Sequence, residues 1–519
     1  MKINKQSILY NAAILCASNL AIQVLAFVYR VFLSRLAGAE GVGVYSLVFP
    51  VYSIVVSVSL SGVCMAVTNL SARMRAKGDD GGIHRLIINA ARIFAGVFLI
   101  VAIPVVLFNG YISEHMLGDI RAARALVLVM VCLFLTGFEN IFKSLFIGIQ
   151  RVKYTAISET GEFLLRITAV LLLLVRFNSS DFGLTALLIV AGMVISEVFS
   201  VIFLFTMYRR EPCSVSGKIK DDGLVREMVG IAVPVSAASL IVNILGSVNT
   251  LLLPHRLMAS GLSRGDAVSA LGVISNMAGP LITLPMAIVG ALCSILMPSI
   301  AVSHSLARKG DVSKKIQKGY FITGIVALPA TAVILPMAPE LARLLFKQEL
   351  SLQYMSLLSL SVVLSYYRMI TMCALNGLGL QKRAMTVIVA GEIIGLVLTY
   401  LLAGTHLGVT GYIISGIISA AVVLIYNMAL LLRRGNIRLR IGRTVITPVV
   451  TALICGLFVR FAFASLVDAG IHAGLAAVSG IAVGLCIYAA LLWGQGVHPV
   501  KYVYTALFSR SSSPTKAFE

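Results

Sequence analysis

Two arginines, Arg30 and Arg35, stand in the apolar stretch QVLAFVYRVFLSRLAGAEGVGVYSLVFPVYS, residues 23–53. A guanidinium stays charged at any relevant pH, and placing one at membrane depth costs about 2.5–3.5 kcal/mol on insertion scales, so it normally faces a partner or a water-filled cavity. Arg30 is therefore a candidate ligand for an anion. Glu139 and Lys143 are spaced i, i+4, and Glu162 and Arg166 repeat that spacing, so each pair can neutralise itself on one helical face. Two roles are open to these pairs: structural ion pairs that let the chain fold in an apolar medium, or groups on a transport path. Glu159 lies one turn before Glu162, at an interfacial position. Glu392 has Leu396 where Glu162 has Arg166. A carboxyl group in an apolar helix is a candidate proton or sodium site, which marks Glu392 and Glu162, and a neutral hydrogen-bonded role is equally open to Glu392. Arg92, Glu197, Arg368 and Arg460 each lie near a helix end or a tyrosine, where they can snorkel; Tyr366, Tyr367 and Arg368 are also candidates to line a wet cavity.

The elements that must position these groups are apolar helices. The chain is 59% hydrophobic and 12% charged over 519 residues, with a mean hydropathy of +0.97. Runs of about 20 apolar residues, enough to cross a hydrocarbon core of ~30 Å, recur from end to end. Backbone polar groups must pair internally in lipid, and the alternation of barrel strands is absent, so the runs read as helices. They fall at about 8–33, 42–68, 86–109, 123–148, 156–176, 184–207, 227–253, 269–301, 316–338, 352–377, 384–403, 409–432, 444–466 and 472–493. The expected fold is an all-α polytopic membrane protein of about fourteen transmembrane helices. Pro280, Pro285 and Pro298 predict that 269–301 is bent.

An internal repeat organises the helices. IVAIP at 100–104 recurs as IVALP at 325–329, GIQR at 148–151 as GLQK at 379–382, and TGEFLL at 160–165 as AGEIIG at 390–395. KGD at 77–79 and 309–311, and YRR at 208–210 with LRR at 432–434, follow in the same order. The repeat makes Glu392 the counterpart of Glu162. A unit of six helices keeps both copies in the same orientation, which predicts two parallel lobes with a substrate site between them. The expected domains are 1–215, 216–435 and an extra pair of helices with a tail at 436–519. Lys and Arg concentrate in alternate loops, which predicts a cytoplasmic location for both termini, with Trp493 anchoring the inner end of the last helix.

The net charge of +21 comes from those loops and forms no continuous basic face, which argues against nucleic acid. Cys16, Cys64, Cys132, Cys213, Cys293, Cys373, Cys455 and Cys486 are scattered singly and read as free thiols. The seven histidines show no metal-ligand spacing. With no P-loop and no long soluble insert, the expectation is a chain with no catalytic residues, no metal and no cofactor. Lys2 and Lys5 precede an apolar run too long for a signal-peptide core, which reads as a retained first helix.

The run RVFLSRLAGAEGVGVYSLVFPVYS, the later segments PHRLMASGL, MAGPLITLP and MPSI, and GIQ followed by Glu162-x-x-x-Arg166 resemble the stage V sporulation protein B group. That group belongs to the oligosaccharide flippases of the multidrug/oligosaccharidyl-lipid/polysaccharide exporter superfamily, near the lipid II flippases. The resemblance implies a multi-pass protein of the bacterial cytoplasmic membrane, acting as a monomer. It implies movement of a polyprenyl-pyrophosphate-linked sugar by alternating access, driven by an H+ or Na+ gradient or by the membrane potential. It also implies that Arg30 and Arg35 line a cationic cavity for the pyrophosphate, with Arg256 equivalent in the second lobe. Relatives often carry another arginine about two turns before Arg30, where this chain has Gln23. Two other classes compete: a cation-coupled multidrug exporter of the same fold, which would use a carboxylate in the first or seventh helix, and a membrane enzyme of cell-wall synthesis, which would use a large outer loop.

Overall fold

A computed structural model describes residues 5–177, 181–210, 223–283, 285–306, 308–347, 352–434, 442, 446–469 and 473–494. The described chain is helical and holds no β-strand. The helices that matter below are α1 (Lys5–Val56), α2 (Gly62–Lys77), α3 (Asp80–Leu107), α4 (Ala123–Gly148), α5 (Val152–Phe177), α6 (Phe182–Arg210), α7 (Leu224–Ala259), α8 (Arg264–Gly272), α9 (Met286–Ser305), α10 (Lys309–Phe346), α11 (Leu352–Gly377), α12 (Gln381–Ala403), α13 (Gly408–Arg434), α14 (Thr447–Asp468) and α15 (Ala473–Gly494).

Two of the expected runs join. α1 continues through the predicted break near residues 34–41 because only Gly38 leaves helical geometry, at φ 69° and ψ 171°, a conformation that glycine adopts without a Cβ penalty. Further on, Pro50 sits inside α1 and cannot donate to the helix ladder. Two hydroxyls bond the carbonyl of Pro50 itself: Ser53 Oγ donates to it at 3.0 Å, and Ser247 Oγ of α7 donates to the same oxygen at 3.2 Å. A π-turn at Ser57–Ser61 then links α1 to α2. Polar groups of α7 meet it there, with Asn243 Nδ2 donating to Ser57 Oγ at 2.8 Å and the Gly62 amide donating to Ser236 Oγ at 3.2 Å. In an apolar medium such side chains give polar groups at an irregular turn the partners that lipid cannot supply.

Among the described residues, ten helices are long and apolar enough to cross a membrane, which makes the chain a multi-pass membrane protein. This differs from the fourteen spans expected. The runs 8–33 and 42–68 contribute to one continuous stretch, Ala21–Arg75. The run 156–176 does not qualify, because α5 carries Glu159, Glu162 and Arg166. The run 269–301 is broken into α8, a π-turn at Val273–Ala278, a short turn of helix and α9, as its prolines predict. Ser479–Trp493 in α15 counts only as a shorter apolar helix.

Packing divides the chain into two compact units. One takes the chain up to Met277 together with Glu392–Ser415; the other takes Ala278–Gly391 and the chain from Gly416 onward. These limits differ from the repeat boundaries at 215 and 435, since contact density and internal sequence similarity are different properties. In the second unit the core gathers Tyr320, Tyr366, Tyr367, Ile370 and Cys373. Tyr320 Oη bonds Thr371 Oγ1 at 2.5 Å and Tyr366 Oη donates to the Ile282 carbonyl at 3.0 Å. Tyr366 and Tyr367 are thus core residues and do not line a wet cavity. Cys64, Cys132, Cys293, Cys373, Cys455 and Cys486 are free thiols, and Cys213 lies outside the described residues.

The approach of α2 to α7 generates a test. A Cβ at Gly62 would meet the backbone of Ala232, whereas a Cβ at Gly96 would meet nothing within 4 Å. Gly62→Ala is expected to cost about 1–3 kcal/mol through overpacking, read as a lower melting midpoint of the purified protein, while Gly96→Ala leaves the midpoint unchanged or raises it. Equal midpoints for wild type and Gly62→Ala would contradict the close packing.

Candidate functional site

Three consecutive helices of the first unit bring together most of the charge buried in their apolar surroundings. α4 carries Glu139 and Lys143, α5 carries Ser158, Glu159, Glu162 and Arg166, and α6 carries Ser196, Glu197 and Ser200. α5 and α6 pack closely at Gly192, where a Cβ would run into the backbone of Val170. Lys143 Nζ lies 2.7 Å from Glu139, 3.4 Å from Glu162 and 3.7 Å from Glu159. Arg166 pairs with Glu162 and reaches Glu197 at 3.3 Å, while its Nε donates to Ser196 Oγ at 3.3 Å. Ser200 donates to Glu139 and shares a hydrogen bond of 2.5 Å with Ser158. The Glu139, Glu162 and Glu197 residues are 1%, 7% and 3% exposed, so each of these charges depends on its partners rather than on water.

The sequence pairs Glu139 with Lys143 and Glu162 with Arg166. Both pairs form, but they are not separate. Lys143 bridges from one to the other, and Glu197 joins them. Glu197 does not snorkel: it is buried because the turn of α6 that carries it faces α4 and α5. The signal for it was present in the sequence, since Ser196 and Ser200 set two hydroxyls around Glu197 on an otherwise apolar helix. One carboxylate oxygen from each of Glu139, Glu162 and Glu197 lies within 4.8 Å of the other two, a spacing at which a cation can bind.

A second ionic knot holds the bend in α1. Arg121 pairs with Glu40 at 2.7 Å and with the buried Asp119 at 2.6 Å, and its guanidinium lies 5.7 Å from the Phe182 ring centroid. Two residues past Gly38, the carboxylate of Glu40 is therefore already occupied. Arg73 and Glu227 form an exposed pair at 2.7 Å.

The candidate anion ligands are dispersed. Arg30 is half-buried on α1, within electrostatic reach of Tyr29 and Tyr45, and makes no hydrogen bond or ion pair with a described residue. Arg35 and Gln23 are exposed. Arg256, near the end of α7, lies over the Tyr400 ring at 4.2 Å, and its Nε is buried without a hydrogen-bond partner among the described residues. Glu392 is half-buried on α12 and interacts electrostatically with Tyr412 of α13. Arg92 and Arg460 are exposed, as snorkelling requires. In the second unit, Arg383, Tyr426 and Arg433 help to line a cavity of about 510 Å³ between α12 and α13, which pattern reading of the sequence did not find.

Residues 8–304 match the family described as Polysaccharide biosynthesis protein. The chain is 22% identical to Stage V sporulation protein B of Bacillus subtilis (strain 168) over 496 residues, covering 94% of this chain and 95% of the relative. It is 20% identical to Sporulation protein YkvU of the same organism over 390 residues, covering 73% and 84%. Among solved structures it resembles the lipid II flippase MurJ in an inward closed conformation, with a TM-score of 0.68 at 13% identity, covering 95% of this chain and 99% of that one. It also resembles an inward-facing multidrug resistance MATE family transporter, with a TM-score of 0.65 at 14% identity, covering 81% and 99%.

Removing one cation from the α4–α6 network tests its interdependence. Lys143→Met leaves Glu139 buried without its nearest counter-charge, an expected loss of about 3–5 kcal/mol, read as reduced accumulation in membranes and a lower melting midpoint. The double variant Lys143→Met with Glu139→Gln should recover much of that loss. Independent, additive effects of the two substitutions would show that the pairs do not form one network.

Proposed function

The chain belongs to the polysaccharide biosynthesis protein family, and on that premise we propose that it is a flippase, which moves an oligosaccharide linked to undecaprenyl pyrophosphate across the bacterial cytoplasmic membrane by alternating access. The lipid II-like precursors of peptidoglycan and the repeat units of other polysaccharides are the substrate class. Support comes from the MurJ-like fold and from a relative of nearly the same length named for sporulation. In this reading the chain is a transporter and not an enzyme, acts as a monomer without a cofactor, and keeps both termini on the cytoplasmic side, where its basic loops lie.

The observation that carries the proposal is Arg30, a half-buried cation on an apolar helix with no ionic partner among the described residues. A diphosphate supplies what it lacks. Charge-assisted bonds between a guanidinium and phosphate oxygens are strong and directional, and they strengthen as the local dielectric falls. Arg35 and Arg256 are the further pyrophosphate contacts in this scheme, and Gln23 is a polar residue on the same path. Glu162 and Glu392 are the residues through which an H+ or Na+ gradient acts. An inward-negative potential helps to reset an arginine-bearing empty carrier, since one charge crossing 100 mV is worth about 2.3 kcal/mol.

The likeness to a MATE family transporter favours a second reading, a cation-coupled multidrug exporter. It needs an available carboxylate in α1 or α7. The only acidic residues there are Glu40 and Glu227, and both are bound, to Arg121 and Arg73. That disfavours the exporter.

Arg30→Ala should lower delivery of a tagged undecaprenyl-pyrophosphate-linked sugar to the outer leaflet by about tenfold or more, the worth of one or two charge-assisted bonds, at unchanged protein level in the membrane. Unaltered translocation would remove Arg30 from the substrate path. Glu392→Gln, assayed in proteoliposomes under an imposed gradient, is expected to weaken the response to the gradient more than the ungraded rate; poor accumulation of the variant instead would point to a folding role.

A further inference from the structure

The charges buried between α4, α5 and α6 do not balance as side chains alone. Glu139, Glu162 and Glu197 are three carboxyl groups, and among the described residues only two cations, Lys143 and Arg166, reach them. Glu159 is set apart, with a side chain 30% exposed and 3.7 Å from Lys143. Fully ionised, the inner group would hold one negative charge more than it can neutralise, in surroundings where an unpaired charge costs several kcal/mol. Two pairs of ions would have balanced without Glu197.

The geometry shows how the excess is met. One carboxylate oxygen from each of Glu139, Glu162 and Glu197 lies within 4.8 Å of the other two. Carboxylates that close repel one another in a low dielectric unless one carries a hydrogen, because an ionised carboxylate only accepts. Independently, Glu197 Oε2 is fully buried and has no hydrogen-bond partner among the described residues, although Glu197 Oε1 accepts from Arg166. An oxygen so placed is where an O–H or a cation belongs.

We propose that Glu139, Glu162 and Glu197 form a binding site for one exchangeable proton, which enters and leaves by way of Glu159. A sodium ion fits the site less well. It would have to share the space with the Lys143 ammonium, 2.7 Å from Glu139, and with the Arg166 guanidinium, and like charges at that range repel strongly in a low dielectric. A divalent ion would leave the site with excess positive charge. A proton needs only the carboxyl oxygens already gathered within 4.8 Å of one another.

The site also has a connection to Arg30. Tyr29 and Tyr45 of α1 interact electrostatically with both Arg166 and Arg30, and Tyr29 Oη is buried without a partner among the described residues. Tyr52 of α1 and Cys132 of α4 also face Glu197. Gain or loss of the proton changes the charge beside Arg166, and the two tyrosines carry that change to the arginine proposed to grip the diphosphate. This deepens the coupling part of the proposed function: it names the ion and the residues that hold it.

The test reads protonation directly, so its failure is distinct from a failure of the flippase reading. Infrared difference spectra of the full-length protein in lipid nanodiscs, taken as the pH is stepped and with D2O exchange, should show a protonated-carboxyl band that shifts in D2O and fades as the pH rises. Glu197→Gln should lose that band, and Glu197→Asp, which keeps a carboxyl group, should retain one. Replacing choline chloride by sodium chloride at constant pH should leave the wild-type band unchanged. Absence of the band in wild type, its persistence in Glu197→Gln, or its removal by sodium would each overturn the proposal.

Discussion

An ionised side chain among apolar helices has to be matched where it stands, because neither lipid nor a packed core can solvate it. In this protein that requirement decides which helices pack together. α4, α5 and α6 are joined at their centre by Lys143 and Arg166, each bound to more than one carboxylate, and Arg121 ties the bend in α1 to the loop before α4 through Glu40 and Asp119. Arg30 is the informative contrast. Lys143 and Arg166 each have carboxyl groups beside them inside the protein, whereas the guanidinium of Arg30 has none among the described residues. A cation left in that state is set up to be matched by something that arrives, and an anionic headgroup is the natural match.

The same economy governs the backbone. α1 bends at Gly38 and passes through Pro50 before a π-turn, three departures from regular helix within one long element. Each departure frees polar backbone groups that hydrocarbon cannot satisfy. Around Pro50 and the π-turn, Ser53 and Ser247 bond the Pro50 carbonyl, Ser236 accepts from the Gly62 amide, and Asn243 bonds Ser57 Oγ.

Substrate grip and ion coupling, as proposed, draw on one electrostatic system. The buried carboxyl triad, Arg166, Tyr29, Tyr45 and Arg30 lie within reach of one another in the first unit. In a low dielectric a single charge added or removed at one end alters the energy at the other by an amount that water would screen away. Coupling between an ion and a lipid-linked substrate then needs no long mechanical linkage, only a shared field and a helix pair that responds to it.

Much of this protein is legible in its residues. The hydropathy of the runs determines that the chain is helical and crosses a membrane, since only helices and closed barrels satisfy the backbone in lipid and the runs lack the alternation of barrel strands. The i, i+4 spacings of Glu139 with Lys143 and of Glu162 with Arg166 determine two ion pairs, because local helical geometry places those side chains on one face. The prolines in 269–301 likewise foretell a broken helix. Tertiary structure alone decided that the two pairs meet, that Glu197 completes them, that Glu40 is taken by Arg121, and that Tyr366 and Tyr367 are core. These outcomes depend on which face of one helix lies against which face of another, and a one-dimensional pattern carries the phase of each helix but not the choice of its neighbour.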